Sequence, residues 1–336
     1  MSVKHIDGCP GMAPPWPSLG KYRIDSTSRI QVGSPEARQA TNVHFFEEVA
    51  CTVSGDYVAI GTLPVADSFF NDTSECMTDP LFLAELTRQG VEAIADLLLE
   101  TQHESHFVLK SVLLNTVDDY VPDVGATDRK VIVLVPRMQI RRKDAMAYAA
   151  DGPFYCYVGN MPVAQFQGTV AFIEHSTYCQ IRGGENTTKP KLPLGQSTLV
   201  DCTCVGKQRQ ENVLISEAVI SLMGTTATIM PQAHMPFFDR VLDHYPGMLV
   251  AEGARQLSVY HVSRELNLDA SEIGISSIDM NFRSFMELHT APVLHARMQS
   301  KHGSALEVEV VAMQEQQVKS HFLIQIYLKN ISKGVA

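Results

Sequence analysis

A carboxylate inside an apolar run needs an explanation, and Glu252 in Met248-Leu249-Val250-Ala251-Glu252 is one. An ionised group there loses its hydration, so it must be paired or protonated. Arg255 stands three residues on and Gln256 four, which puts all three on one face of a helix. One reading is an i, i+3 ion pair. The other is a buried carboxyl with a raised pKa, the kind of group that moves protons near neutral pH. The same trio recurs 167 residues earlier as Glu85, Arg88 and Gln89, in AELTRQ from Ala84 against AEGARQ from Ala251. Duplication of the whole trio weighs towards chemistry, although a structural bridge copied with its fold leaves the same signature.

Just upstream of the second copy stand His234 and His244, in HMPFFDRVLDHYPGMLVAE, where the first copy has Asp67 and Met77. Histidine is the side chain whose ordinary pKa suits proton transfer at neutral pH, so each is a catalytic candidate as well as a turn or packing residue. Pro246-Gly247 reads as a helix start. Its unpaired first-turn N–H groups, at Gly247 and beyond, would also suit an oxyanion. The densest positive cluster is Arg137, Arg141, Arg142 and Lys143, with Arg129 and Lys130 nearby. It is either a solvated strand end or a docking patch for an acidic carrier protein. Cys202 and Cys204 read as strand residues without a function. A P-loop, Gly-x-Gly-x-x-Gly, Gly-x-Ser-x-Gly and His-Glu-x-x-His are all missing from the sequence.

The elements that must position these residues also occur twice. Pro64 to Gln89 lies over Pro231 to Gln256 without a gap and with eight identities in 26 positions, where unrelated sequence gives roughly one or two. Before each motif come two β-rich segments: Val43 to Thr52 and Tyr57 to Leu63 around Ser54-Gly55-Asp56, then Val213 to Met223 and Thr225 to Met230 around Gly224. Leu81 to Leu99 and Met248 to Leu266 are apolar nearly all round, as enclosed helices are, and Pro80 and Pro246-Gly247 start them. Strands are predicted downstream at His106 to Thr116, Lys130 to Ile140 and Phe154 to Ile173. The second copy has Ile273 to Phe282, Val293 to Met298, Ala305 to Met313 and Val318 to Leu328. Two strands, one buried helix and a run of strands, twice, predict an α+β tandem double hotdog, each half an antiparallel sheet wrapped around a central helix, paired as a pseudo-dimer. The boundaries expected are an N-terminal arm over 1–39, a first domain over 40–182, a Gly/Pro-rich linker over 183–196 and a second domain over 197–336.

The chain has 336 residues, 45% hydrophobic and 19% charged, with no apolar run near the ~18 needed to cross a bilayer. A net charge of −10 argues against a nucleic-acid backbone as main partner. Seven cysteines, an odd number without Cys-x-x-Cys, indicate neither a disulfide framework nor a structural metal. Met1 to Gly20 lacks the charged head and apolar stretch of a signal peptide and reads as part of the arm, pinned by Trp16. The expectation is a cytoplasmic protein, without membrane or nucleic-acid partner, as a monomeric pseudo-dimer or a homodimer.

The segments NVHFFEEV, LPVADSFF, DPLFLAELTRQ, HMPFFDRVLDHYPGMLVAEGARQ and DMNFRSFMELHTAPVLHARM resemble the A-factor biosynthesis hotdog family, over roughly residues 40 to 330. Pro246 to Glu252 also resembles the more distant 3-hydroxyacyl-carrier-protein dehydratases. The family resemblance implies an acyltransferase of γ-butyrolactone or butenolide signal synthesis. Such an enzyme joins a 3-oxoacyl group, carried on the phosphopantetheine of acyl-carrier protein, to the hydroxyl of dihydroxyacetone phosphate, without a metal or redox cofactor. The implied catalytic residues are Glu85, Glu252 and Arg255, with His234 or His244 facing Glu85 across the halves and Asp67 facing Glu252. Arg88 or Arg255 would hold the acceptor phosphate, with Gln89, Gln256, Gly247 and Asp67 at the substrate. This chain departs from the family at Asp67 and Thr78, where a His is usual. The rivals are a hotdog dehydratase or thioesterase, and a non-catalytic acyl- or carrier-binding protein.

Overall fold

The computed structural model describes residues 17, 19, 22–32, 45–63, 69, 72, 79–99, 105–117, 130–159, 161–183, 198–231, 243–302 and 305–329. The two motif segments form the long helices, α1 (Pro80–Leu98) and α3 (Gly247–Leu266), with a short α2 (His175–Ile181) between them. Asp79 caps α1, its Oδ1 accepting from the N–H groups of Leu81 at 2.8 Å and Phe82 at 3.3 Å, and Pro80 occupies the first turn, where a missing N–H costs nothing. α3 follows Pro246 with no side-chain cap, and it ends at Asn267 in the left-handed conformation. Both helices are buried on nearly every face through their first four turns, which is why their sequences lack a polar side.

The sheet explains the repeat. First-half strands are β1 (Ile30–Gln31), β2 (Phe46–Cys51), β3 (Tyr57–Thr62), β4 (Ser105–Thr116), β5 (Lys130–Val135), β6 (Ile140–Lys143), β7 (Met146–Asp151), β8 (Phe154–Val158) and β9 (Met161–Glu174). Second-half strands are β10 (Val219–Ser221), β11 (Gly224–Thr228), β12 (Ile273–Phe282), β13 (Val293–His302), β14 (Ala305–Gln314) and β15 (Gln317–Leu328). These join in one antiparallel sheet, ordered β1-β2-β3-β5-β8-β9-β4-β12-β15-β14-β13-β11-β10. Read outwards from the centre, β4-β9-β8-β5-β3-β2 mirrors β12-β15-β14-β13-β11-β10. The seam is the pairing of β4 with β12, Ser111 opposite Asn281 through Asn115 opposite Ser277. The architecture is a double hotdog, with α1 and α3 against the two halves of one sheet.

Packing accounts for the local composition. β14 alternates buried and less buried residues, as a strand with one covered face does. In β5 (KVIVLV) every residue after Lys130 is buried, because α1 lies on one face and Leu19, Tyr22 and Ile24 of the arm cover the other. Tyr157 pins this cover by donating to the Pro17 carbonyl at 2.6 Å. Trp16 lies outside the described residues. Gly90 lets α1 approach β5: a Cβ there would sit 2.7 Å from Val133 Cβ.

Several expected segments divide differently. Lys130 to Ile140 ends as a strand at Val135, and a 3-10 turn (Arg137–Gln139) starts the β6–β7 hairpin, which has no counterpart among the described residues of the second half. Phe154 to Ile173 is two strands reversed near Gly159, whose φ of 59° suits a turn. Val213 to Met223 is a strand only from Val219, with isolated bridges at Ile215 and Ser216 before it. Cys202 and Cys204 stand in a 3-10 turn (Cys202–Val205), capped by Asp201, and not in a strand. The expected linker lies outside the described residues except at Gly183.

Candidate active site

On α1, Glu85 accepts from Arg88 Nε at 2.8 Å and Nη2 at 2.6 Å, and from Gln89 Nε2 at 2.8 Å. The remaining Arg88 nitrogen, Nη1, donates to Glu92 at 2.5 Å. On α3, Glu252 accepts from Arg255 Nε at 2.8 Å and Nη2 at 2.7 Å and from Gln256 at 2.8 Å, and Lys207 Nζ lies 3.2 Å away. The i, i+3 pair is therefore present in both copies, and the forked guanidinium makes it two-pronged. The two sites differ in charge balance. Two carboxylates share one cation at Arg88, whereas two cations flank one carboxylate at Glu252.

That difference favours the ion-pair reading of Glu252 over the raised pKa. Burial alone would raise it, but Arg255 and Lys207, with hydrogen bonds from Arg255 and Gln256, outweigh burial and hold it at about 2. These contacts favour the ionised form of Glu252. Burial pulls Arg255 downwards, yet Glu252, with Asp79 and Asp72 further off, carries it above its ordinary value. Gln256 is fully buried, giving its amide to Asn212 O and Glu252 and accepting from Leu214 N. The second-half trio thus clamps α3 to the chain entering β10. First-half residues reach the same place: Lys207 Nζ donates to Phe69 O at 3.2 Å and Asn212 Nδ2 to Asp72 Oδ2 at 2.8 Å. Asp67, expected opposite Glu252, lies outside the described residues, as do His234, Met77 and Thr78.

The first-half trio faces open space. Glu85, Arg88, Gln89 and Glu92 line a cavity of about 920 Å³, together with His244, Gly247 and Met248 from the second half. Its remaining wall mixes apolar side chains, Phe107, Leu109, Phe282 and Phe285 among them, with polar ones. This volume is in the range of small-molecule sites. Gly247 opens α3 beside it, and a Cβ at this residue would approach Phe282 to 3.0 Å. Glu252 and Arg255 are not among the lining residues.

His244 is held by a network that sequence reasoning missed. Its Nδ1 lies 2.6 Å from Asp243 Oδ1. Asp243 also accepts from Tyr178 Oη at 2.9 Å and Arg182 Nε at 2.8 Å, and Arg182 grips Glu287 at 2.7 and 2.8 Å. Burial would raise Asp243, but His244, Arg182 and Tyr178 outweigh it and hold its carboxyl well below the usual range. An ionised Asp243 accepts only, so neutral His244 carries its proton on Nδ1 and keeps a lone pair on Nε2. Burial and Asp243 push the Tyr178 phenol upwards, which keeps it a donor. Tyr178 stacks on His106 at 3.8 Å, and His106 Nε2 lies 2.9 Å from His175 Nδ1. Both Tyr178 and His106 line the cavity. The one signal in the sequence was the Asp243-His244 dipeptide; α2 is too short and too polar to show a period.

The basic cluster is exposed and partly spent. Arg141 pairs with Asp151, and Arg142 donates to Ala145 O at 2.7 Å and Tyr57 Oη at 3.2 Å.

Residues 189–325 match the family model of the A-factor biosynthesis hotdog domain. That stretch, most of the second half, resembles the family. A 2-oxo-3-(phosphooxy)propyl 3-oxoalkanoate synthase from Streptomyces coelicolor is 24% identical over 203 residues, 60% of this chain and 63% of its own length, which is less than two thirds of that relative. Similar solved structures include the dehydratase domain of RzxB from Pseudomonas fluorescens, with TM-score 0.48, 11% identity and coverage of 84% of this chain and 97% of that one. A putative oleoyl thioesterase from Lactobacillus plantarum has TM-score 0.46, 12% identity and coverage of 81% and 96%. Among the described residues, no helix is long and apolar enough to cross a membrane.

Proposed function

We propose that this protein is an acyltransferase that moves a 3-oxoacyl group from a carrier thioester to the hydroxyl of dihydroxyacetone phosphate or a similar acceptor. The observation that carries the reading is one cavity shared by Glu85 of the first half and His244 of the second, at the uncapped start of α3. The Streptomyces relative supports the choice of groups, since its name describes an ester of a 3-oxoalkanoate with a phosphorylated three-carbon alcohol.

In this mechanism Nε2 of His244 takes the proton of the acceptor hydroxyl, and Asp243 stabilises the imidazolium that forms. Glu85, already oriented by Arg88 and Gln89, accepts the hydroxyl's hydrogen bond while the acceptor docks, and so aligns it before that O–H turns to His244. The alkoxide oxygen bonds to the thioester carbon, and the first-turn N–H groups of α3 hold the oxyanion. Collapse breaks the C–S bond, and the leaving thiolate takes the proton back from His244. Acyl-carrier protein is the donor this scheme implies, bringing the chain on phosphopantetheine, and the apolar cavity wall receives the chain. Incubation with a 3-oxoacyl carrier and dihydroxyacetone phosphate, read by mass spectrometry, tests it. The ester or its butenolide is expected; free acid or an enoyl thioester refutes transfer in favour of hydrolysis or dehydration.

A further inference from the structure

The arginines that the helix motif offers to a phosphate are not free to take one. Arg88 gives Nε and Nη2 to Glu85 and Nη1 to Glu92, so freeing its fork means breaking charge-assisted hydrogen bonds inside a buried site. Arg255 is buried against Glu252 and does not line the cavity. Arg182 is divided between Asp243 and Glu287. The inner wall, with Glu85, Glu92 and Asp243 against Arg88, would repel a dianion.

Two cations lining the same cavity are uncommitted. Lys110 of β4 and Arg283, which follows β12, are both exposed, and their side chains make no hydrogen bond or ion pair with any described residue. They belong to opposite halves and stand next to the seam on either side of it, just beyond the last registered pair, Ser111 with Asn281. Arg283 is fixed there by its backbone, its N–H donating to Lys319 O at 2.9 Å. A site at a rim of this kind lets a phosphate keep part of its hydration while its uncharged end reaches inwards.

We infer that Lys110 and Arg283 form a phosphate site across the seam, at the mouth of the cavity that holds Glu85 and His244. Two phosphates fit this chemistry: that of a small phosphorylated acceptor and that of 4′-phosphopantetheine. The inference rests on the acyl-transfer reading only for which of them is used.

Calorimetric titration of the full chain with dihydroxyacetone phosphate and with 4′-phosphopantetheine, each beside its unphosphorylated counterpart, provides the test. In Lys110→Gln/Arg283→Gln, affinity for at least one phosphate should fall about tenfold, with the unphosphorylated molecules unaffected and the wild-type preference weakening as salt rises. Selective loss for one compound identifies the source; loss for both assigns the shared chemistry. Equal affinity of wild type and variant for both phosphates, or no gain from the phosphate in the wild type, overturns the site. Arg88→Gln is the control: a larger phosphate-specific loss there than in the double variant also overturns it. Failure of the acyl-transfer reading would show separately, as absence of ester from the wild type while phosphate binding follows Lys110 and Arg283.

Discussion

Replacing Glu252 and Glu85 in turn by glutamine, nearly isosteric in both cases, should give opposite results. Glu252→Gln leaves Arg255 and Lys207 buried without their anion; both are at most 5% exposed in their side chains, so water cannot compensate. Orphaning a buried charge costs about 3–5 kcal/mol. At ~2.1 cal/mol/K per residue, a 336-residue chain melting as one unit has an unfolding entropy of about 0.7 kcal/mol/K, so the melting temperature should drop about 4–7 °C. Turnover per folded molecule should change little, because Glu252 does not line the cavity. Glu85→Gln leaves Arg88 still paired with Glu92 at 2.5 Å, and should cost only about 1–2 kcal/mol. It removes the acceptor at the cavity wall, so turnover should fall at least about tenfold. Calorimetry and product formation by mass spectrometry, normalised to folded protein, read both. A Glu252→Gln protein that melts like the wild type and loses about 100-fold in turnover would refute the argument and make Glu252 a working acid or base.

The same depression sets a pH window. Glu252 titrates at about 2 folded against 4.5 ordinarily, so its contribution of about 3 kcal/mol is complete above pH 4.5 and is lost as pH falls towards 2; acid titration of stability should show this slope, and Glu252→Gln should lack it. Asp243→Asn removes the group that fixes the His244 tautomer, and turnover should fall on the order of 10²–10⁴-fold, with Tyr178→Phe milder; histidine ring nitrogen NMR should show mixed tautomers only in Asp243→Asn. Gly90→Ala forces a methyl to within 3.0 Å of three Val133 carbons in a sealed core and should destabilise by about 1–3 kcal/mol in denaturant titration.

The fold was legible because its strongest features are local and repeated. Two helices without a polar side can only be enclosed, and the same order of segments around each told of two equal halves. Boundaries were lost where tertiary structure decides them. β5 and β8 are apolar at nearly every position because the arm covers one face, so alternation could not mark where β5 gives way to the β6–β7 hairpin. The polar, seven-residue α2 carries no period, and what fixes it is its seat against Asp243 and His106.

The motif trio was visible from sequence; what each copy does with it was not, because that depends on neighbours far away in the chain. Glu85 and Glu252 have matching partners at i+3 and i+4, so local spacing cannot separate them. The separation comes from one extra charge in each place. Glu92, where the second copy has Val259, ties up the last nitrogen of Arg88 and leaves the first site short of positive charge. Lys207 seals Glu252 between two cations. Among the described residues, only Glu85 shares a cavity with an Asp243–His244 pair and an uncapped helix start, both from the other half. If this asymmetry is functional, moving Lys207's charge should matter to the fold and not to the reaction. Lys207→Met should keep turnover per folded molecule, while the titration of Glu252 moves up from about 2 and the acid slope of stability shrinks with it. A Lys207→Met protein that keeps its stability profile and loses activity would place chemistry at the second site after all.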